Sequence, residues 1–293
     1  MAAWAAGVAF VYWRAFGHRG GAERLTTPAD FGARHESLDI HTADGVRLAG
    51  WYLPGTLPAA VVVSGGYRGA AGDVLGISAA LQRSGFHVFV YGWRGTPGSE
   101  AAAHTLGVHE RNDLLAVLDV VGGRLGPVPI GLIGYSMGGS VSISVASGDS
   151  RVRAVCSDSA FADPTAILGD RIKRQLRLPS MLLVGPVLAL RSRRTGAHFS
   201  DFRPINAVAH ISPRPVLLIH GEKDDAVPVH HAHRLFEAAG YPKELWLIPA
   251  TGHVGAYFHD RRAYVDKVTD FFERALIGEG AVPKAKRSAR SSD

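Results

Sequence analysis

Cysteine is nearly missing from these 293 residues, with Cys156 the only one. One thiol forms no intrachain disulfide and no cysteine-rich zinc site, and it suits a reducing compartment slightly better than an oxidising one. Also missing is an apolar run of the roughly 20 residues that a membrane-spanning helix needs. The formal charge of +6 is small, and most of it lies at the ends. Residues 1–24 carry Arg14, Arg19 and Arg24 against Glu23, and residues 279–293 carry Lys284, Lys286, Arg287 and Arg290 against Glu279 and Asp293. The body between them offers no basic face, so no nucleic-acid partner is expected, although the ends suit anionic lipid. No internal repeat is visible. Hydrophobic residues at 46% and charged residues at 20% exclude wholesale disorder.

The stretch Ala2 to Trp13 is apolar and includes Trp4, Phe10, Tyr12 and Trp13. It lacks the basic n-region and small-residue cleavage site of a signal peptide. Three readings stand: an interfacial anchor with aromatics at headgroup depth, the stub of a longer anchor, or a helix packed on the domain. The expected organisation is an apolar segment 1–24, a main domain 25–278 and a basic disordered tail 279–293. The arginines after the apolar run favour a cytoplasmic domain, with weak membrane association through residues 2–16. Oligomeric state is not readable.

Residues 37–41 and 47–53 read as strands joined by Asp44-Gly45, a hairpin-turn signal. The apolar run 59–64 suits a strand covered on both faces, 87–91, 130–133, 152–157 and 215–220 read as further strands, and 243–248 is a last strand. Helices are expected over about 72–84, around the stripe Leu114, Val117, Leu118 and Val121, and over 263–276. This alternation implies a mostly parallel eight-stranded sheet with helices on both faces and an antiparallel hairpin at its start. Residues 164–211 are too long for a plain connection. They read as a small helical cap insertion, or as extra helices on the sheet's flank.

Gly134-Tyr135-Ser136-Met137-Gly138-Gly139 joins a strand to a helix. A serine hydroxyl that attacks a carbonyl must stand clear of the backbone, and a sharp strand-to-helix turn does this if its neighbours two before and two after are small. The helix that follows aims its first amides at the site. Asp224 and His253 fall in loops at the carboxyl ends of later strands, where ligands bind in such sheets. The order Ser136, Asp224, His253 is the α/β-hydrolase order.

With Thr42-Ala43-Asp44-Gly45, GYSMGG, DSAFAD (158–163), HGEKDDAVP (220–228) and Gly252-His253 in sequence, residues 36–276 resemble an α/β-hydrolase-fold serine hydrolase of the bacterial esterase and S9/S33-peptidase-like group. The resemblance implies the α/β-hydrolase fold, with Ser136 as nucleophile, His253 as general base and Asp224 as the acid that holds the imidazole. D-x-x-V-P spacing selects Asp224 over Asp225, and Asp158 is the rival acid. The backbone amides of Tyr67 and Met137 are the implied oxyanion donors, with Gly65-Gly66 standing where the family pattern has His-Gly.

Other candidates read as structural. His230, His231 and His233 lack a clear acidic partner, so no metal is expected. Arg94 reads as a brace and Cys156 as an inert core residue. Gly65-Gly66-Tyr67-Arg68-Gly69 lacks the Gly-Lys-Ser/Thr ending of a phosphate loop, and no cofactor is expected. The expected function is cleavage of a small-molecule carboxylic ester by an acyl-enzyme route. Amide or peptide hydrolysis is the alternative, and a non-catalytic binding protein would have a broken triad.

Overall fold

The computed structural model describes residues 2–17, 26–176 and 180–278. The Asp44-Gly45 turn, with Gly45 at φ +85°, closes a hairpin of β1 (Glu36–His41) and β2 (Arg47–Leu53). Six further strands follow: β3 (Ala60–Ser64), β4 (His87–Tyr91), β5 (Ile130–Tyr135), β6 (Val152–Asp158), β7 (Val216–Gly221) and β8 (Lys243–Ile248). They join one sheet in the order β1-β2-β4-β3-β5-β6-β7-β8. Pairing is antiparallel where β2 meets β1 and β4, and parallel between every other pair.

The helices are α1 (Ala2–Phe16), α2 (Leu75–Arg83), α3 (Glu110–Leu125), α4 (Met137–Ala146), α5 (Pro164–Leu176), α6 (Met181–Thr195), α7 (Pro204–Ala207), α8 (His230–Ala238), α9 (Ala256–His259) and α10 (Arg261–Phe272). Because side chains alternate across a strand, each parallel strand feeds two cores. Val61, Val63, Val88, Val90 and Ile133 pack under α2 and α10. Val62, Phe89, Leu132, Val155 and Leu218 pack under α3, α4 and α8. Cys156 is fully buried, and burial pushes its thiol pKa up, which suits an inert core residue.

Element ends differ from the sequence reading where a side chain intervenes. The helix expected from Gly72 opens as a 3₁₀ turn over Ala71–Val74 and becomes α-helical only at Leu75. Asp73 stabilises that turn by accepting the Ala70 N–H at 3.0 Å. The last helix starts at Arg261, ahead of the expected Ala263, because Asp260 caps it by accepting the Ala263 N–H at 2.9 Å. It ends in a π turn over Glu273–Ile277.

Within 164–211, α5 and α6 pack on each other, and α6 also packs on α1. Val8, Val11 and Phe16 of α1 are buried in the same core as Leu183, Val184 and Val187 of α6. Phe10 and Trp13 face outward, and the half-exposed Trp4 donates from Nε1 to the Leu182 carbonyl of α6 at 3.4 Å. No helix among the described residues is long and apolar enough to cross a membrane. Residues 18–24 of the apolar segment and the basic tail 279–293 lie outside the described residues.

Arg94, in the loop after β4, ties the hairpin turn to α3. It donates through its backbone N–H, Nε and Nη2 to Asp113 of α3, at 3.0, 2.8 and 2.6 Å, and through Nη1 and Nη2 to Asp44 at 2.7 and 3.0 Å. Arg94 is 3% exposed and Asp113 not at all. Arg94→Ala leaves a buried carboxylate without its cation and should cost about 3–5 kcal/mol of stability, read from the midpoint of urea unfolding.

Candidate active site

The β5–α4 junction is a strained turn. Ser136 sits at φ 52° and ψ −116°, a conformation that non-glycine residues rarely adopt. It persists because the backbone around it is over-determined. The Ser136 N–H donates to the Asp158 carbonyl at 2.8 Å, and the Ser140 N–H donates to the Ser136 carbonyl at 3.2 Å. Glycine is required on both sides. A Cβ on Gly134 would lie 2.2 Å from the Gly138 carbonyl oxygen, and one on Gly138 would lie 2.4 Å from that of Gly65 and 2.5 Å from that of Ser64. The helix start is thus pressed against the end of β3, and the serine side chain is pushed clear.

The loops after β7 and β8 bring Asp224 and His253 to this serine. His253 Nε2 lies 3.0 Å from Ser136 Oγ, and His253 Nδ1 lies 2.7 Å from Asp224 Oδ2. An ionised carboxylate only accepts, so Nδ1 carries the proton and Nε2 faces the serine with its lone pair. The other carboxylate oxygen accepts the N–H groups of Ala226 and Val227, each at 2.8 Å. Burial raises the Asp224 pKa, but hydrogen bonds from His220 and His253, the His253 charge and the Val227 N–H outweigh it and hold the carboxyl well below its ordinary range.

Sequence reading assigned no role to His220, Ser159 or Trp93. His220 is buried, with Nε2 2.8 Å from the Val227 carbonyl and 3.4 Å from Asp224 Oδ2, so it fixes the Asp224 loop from below. Ser159 accepts the Val254 N–H at 3.1 Å and steadies the His253 loop. Trp93 donates from Nε1 to the Gly65 carbonyl at 2.9 Å. The spacing of His220 and Asp224 in HGEKDDAVP, and Ser159 in DSAFAD, were the available signals. Nothing local marks Trp93.

Gly66 lies beside the serine, since a Cβ there would stand 3.6 Å from Ser136 Cβ. The Tyr67 N–H donates to no acceptor among the described residues. The Met137 N–H is the first of α4, with no preceding turn to accept it. A cavity of about 390 Å³ opens beside Ser136 and His253. Ile167 and Leu168 of α5, Ala15 of α1, Phe161, Val227 and Phe258 give it a mainly apolar wall.

Asp158 makes no hydrogen bond to His253. Its carboxylate accepts from Tyr264 Oη and Ser159 Oγ, each at 2.9 Å, and burial pushes its pKa up to about 6. Asp225 is exposed. The histidine triplet needs a correction: His230 and His231 do have an acidic partner. Asp170 of α5 places Oδ2 3.2 Å from His230 Nε2 and 3.0 Å from His231 Nε2. His231 Nδ1 accepts the Ala162 N–H at 3.2 Å, so its Nε2 carries the proton that Asp170 receives. Both ring nitrogens are then engaged, Nε2 with α5 and Nδ1 with the loop between β6 and α5. His233 is exposed.

The sequence profile of the prolyl oligopeptidase family matches residues 77–279. The uncharacterised protein YfhR of Escherichia coli K12 is 30% identical over 253 residues, covering 82% of this chain and 81% of that one. Among solved structures, the Pyrococcus furiosus esterase Pf2001 superposes with a TM-score of 0.73 at 23% identity, covering 88% of this chain and 97% of the esterase. Est1E of Butyrivibrio proteoclasticus, solved with ferulic acid, superposes with a TM-score of 0.66 at 19% identity, covering 82% and 99%. The fold is that of the α/β-hydrolases.

The depressed Asp224 pKa has a signed consequence for stability. The unfolded carboxyl takes its proton first as pH falls, near an ordinary value of about 3.9, so the Asp224 contribution is complete above that value and declines below it. The stability advantage of the wild type over Asp224→Asn should therefore shrink as pH falls below about 4. Urea unfolding of both proteins from about pH 5 downwards checks it; an advantage that grows below about pH 4 would contradict the sign.

Proposed function

The chain belongs to the prolyl oligopeptidase family, and on that premise we propose that it is a carboxylesterase-like serine hydrolase working through an acyl-enzyme. The observation that carries this reading is the continuous hydrogen-bonded chain Ser136 Oγ, His253 Nε2, His253 Nδ1, Asp224 Oδ2. In the proposed reaction Ser136 attacks the ester carbonyl while His253 Nε2 takes the hydroxyl proton. Asp224 keeps Nδ1 protonated and stabilises the imidazolium that forms. The N–H groups of Tyr67 and Met137 receive the oxyanion, each contributing roughly 3 kcal/mol in the transition state. His253 returns the proton to the leaving alcohol, then activates the water that releases the acid.

The apolar cavity wall favours an apolar acyl group. It also favours an ester over a peptide with a free amino terminus, because its carboxylate, Asp73, is offset by the cation Arg171 on the same wall. Residues 164–211 are read as the cap, since α5 supplies part of the wall. They belong to a hydrolase domain 25–278, flanked by the apolar segment 1–24 and the basic tail. Amide hydrolysis by the same residues is the second reading, because the same histidine can protonate an amine. A purely binding protein has no need of the aligned histidine.

A fluorophosphonate probe should label the wild type and spare Ser136→Ala; an unlabelled wild type would sink the hydrolase reading. Turnover of p-nitrophenyl esters of increasing acyl length should exceed that of aminoacyl anilides, and faster anilides would move the assignment to amide hydrolysis.

Weak membrane association through residues 2–16 belongs to the same proposal. It is supported by the outward-facing Phe10 and Trp13, with Arg14 beside them and no acidic residue in α1. The full chain should co-sediment with vesicles containing anionic lipid more than with purely zwitterionic ones, and the double variant Phe10→Ala, Trp13→Ala should lose that difference. Equal sedimentation of wild type and variant would remove this part of the reading.

A further inference from the structure

The loop that presents the Tyr67 amide beside Ser136 is rich in glycine, at Gly65, Gly66 and Gly69, so its own backbone does little to hold one conformation. Two bonds secure its base. Trp93 Nε1 donates to the Gly65 carbonyl at 2.9 Å, and the Gly69 N–H donates to the Gly66 carbonyl at 3.0 Å. Its tip is secured from outside the loop. Tyr67 Oη donates to the Ala15 carbonyl at 3.1 Å, and Arg68 Nη1 donates to the Gly17 carbonyl at 2.6 Å.

Both carbonyls lie at the C-terminal end of α1. There the last carbonyls of a helix have no partner within the helix itself, and the helix dipole is negative. A phenol and a guanidinium suit those acceptors, and the cation complements the dipole. Arg68 adopts φ +59°, a conformation disfavoured for a residue with a Cβ, and its guanidinium also lies 5.0 Å from the Tyr67 ring centroid.

The end of α1 is itself anchored. The buried Arg191 of α6 reaches Tyr12 Oη at 3.2 Å and covers the Phe16 ring at 4.7 Å. Its Nε donates to the His104 carbonyl at 3.1 Å, and the His104 ring meets the Tyr67 ring edge-on at 5.4 Å. Helix α6, the end of α1 and the Tyr67 side chain therefore form one packed group.

We propose that the last turn of α1 is a working part of the active site: through Tyr67 and Arg68 it positions the Gly65–Gly69 loop so that the Tyr67 N–H meets the oxyanion formed at Ser136. The inference rests on the hydrolase reading above, in which that amide stabilises the transition state. Arg68 does not line the cavity, so it is a positioning residue that acts through the loop and not through substrate.

The test uses full-length Arg68→Asn, Tyr67→Phe and Arg68→Lys on a p-nitrophenyl ester, with melting temperatures measured in parallel. Asparagine tolerates the left-handed conformation but is too short to reach Gly17. A displaced oxyanion donor forfeits part of a contribution of about 10²–10³ in kcat. Arg68→Asn and Tyr67→Phe should each therefore lower kcat about tenfold with KM within about twofold. Binding of an alkyl boronic acid, which adds to the serine and mimics the tetrahedral oxyanion, should weaken in the same proportion. Arg68→Lys, which keeps a cationic donor, should recover most of kcat. Wild-type kcat in Arg68→Asn and Tyr67→Phe would overturn the proposal, as would losses in all three variants that track lowered melting temperatures with boronate affinity unchanged. If fluorophosphonate fails to label Ser136 in the wild type, the hydrolase reading falls; if labelling and turnover are intact but the variants match the wild type, the positioning role alone falls.

Discussion

The site depends on how closely the first turn of α4 approaches the end of β3. Gly138 lies against the Ser64 and Gly65 carbonyls, with no room for a Cβ. That contact holds Ser136 in its strained conformation and brings the loop after β3 to the same point. Sheet order makes it available, because β3 and β5 are hydrogen-bonded neighbours whose carboxyl ends coincide at Ser64 and Gly134. A substrate carbonyl between Ser136 and the Tyr67 loop would then face a hydroxyl on one side and backbone N–H groups on the other.

Around that point the molecule holds charge in place with dense hydrogen bonding. Asp224 receives two backbone N–H groups and faces the imidazoles of His253 and His220, so it stays ionised despite burial. Asp158, one strand closer to the serine, has only hydroxyl partners, and burial lifts its pKa. Two buried carboxylates near one histidine thus differ in the donors that surround them. The loop carrying His253 is steadied by Ser159, itself bonded to Asp158, so the rival acid has a supporting part in the same arrangement.

The apolar helix α1 has two unlike faces. One packs Val8, Val11 and Phe16 against α6, with Trp4 on the same stripe donating to the Leu182 carbonyl, and the other exposes Phe10 and Trp13. Its C-terminal carbonyls meet Tyr67 and Arg68 beside the cavity. A segment that reads as a membrane-associating appendage is therefore also in contact with the loop next to Ser136.

Much of the fold and the strand-to-helix turn at Ser136 was legible in the sequence because the signals are local. Continuous apolar runs mark strands covered on both faces, Asp44-Gly45 marks the hairpin, and a serine with glycines two residues away on each side marks a turn that admits no side chain there. The placement of Asp224 and His253 in strand-end loops follows from the same periodicity. The remaining features are set by residues distant in sequence that meet only once the chain is folded. Asp170 reaches the His230–His231 pair from another helix, contradicting the expectation that those histidines lack an acid. Trp93 finds the Gly65 carbonyl, and α1 finds α6 and the Tyr67 loop. Side-chain hydrogen bonds of this kind have no period and no spacing rule, because their partners are chosen by the packing of whole elements. Sequence by itself determined the strand-to-helix turn at Ser136 and the strand-end loops of Asp224 and His253, because those signals are local, and the tertiary structure decided which acid faces the histidine and what holds the loop beside the serine.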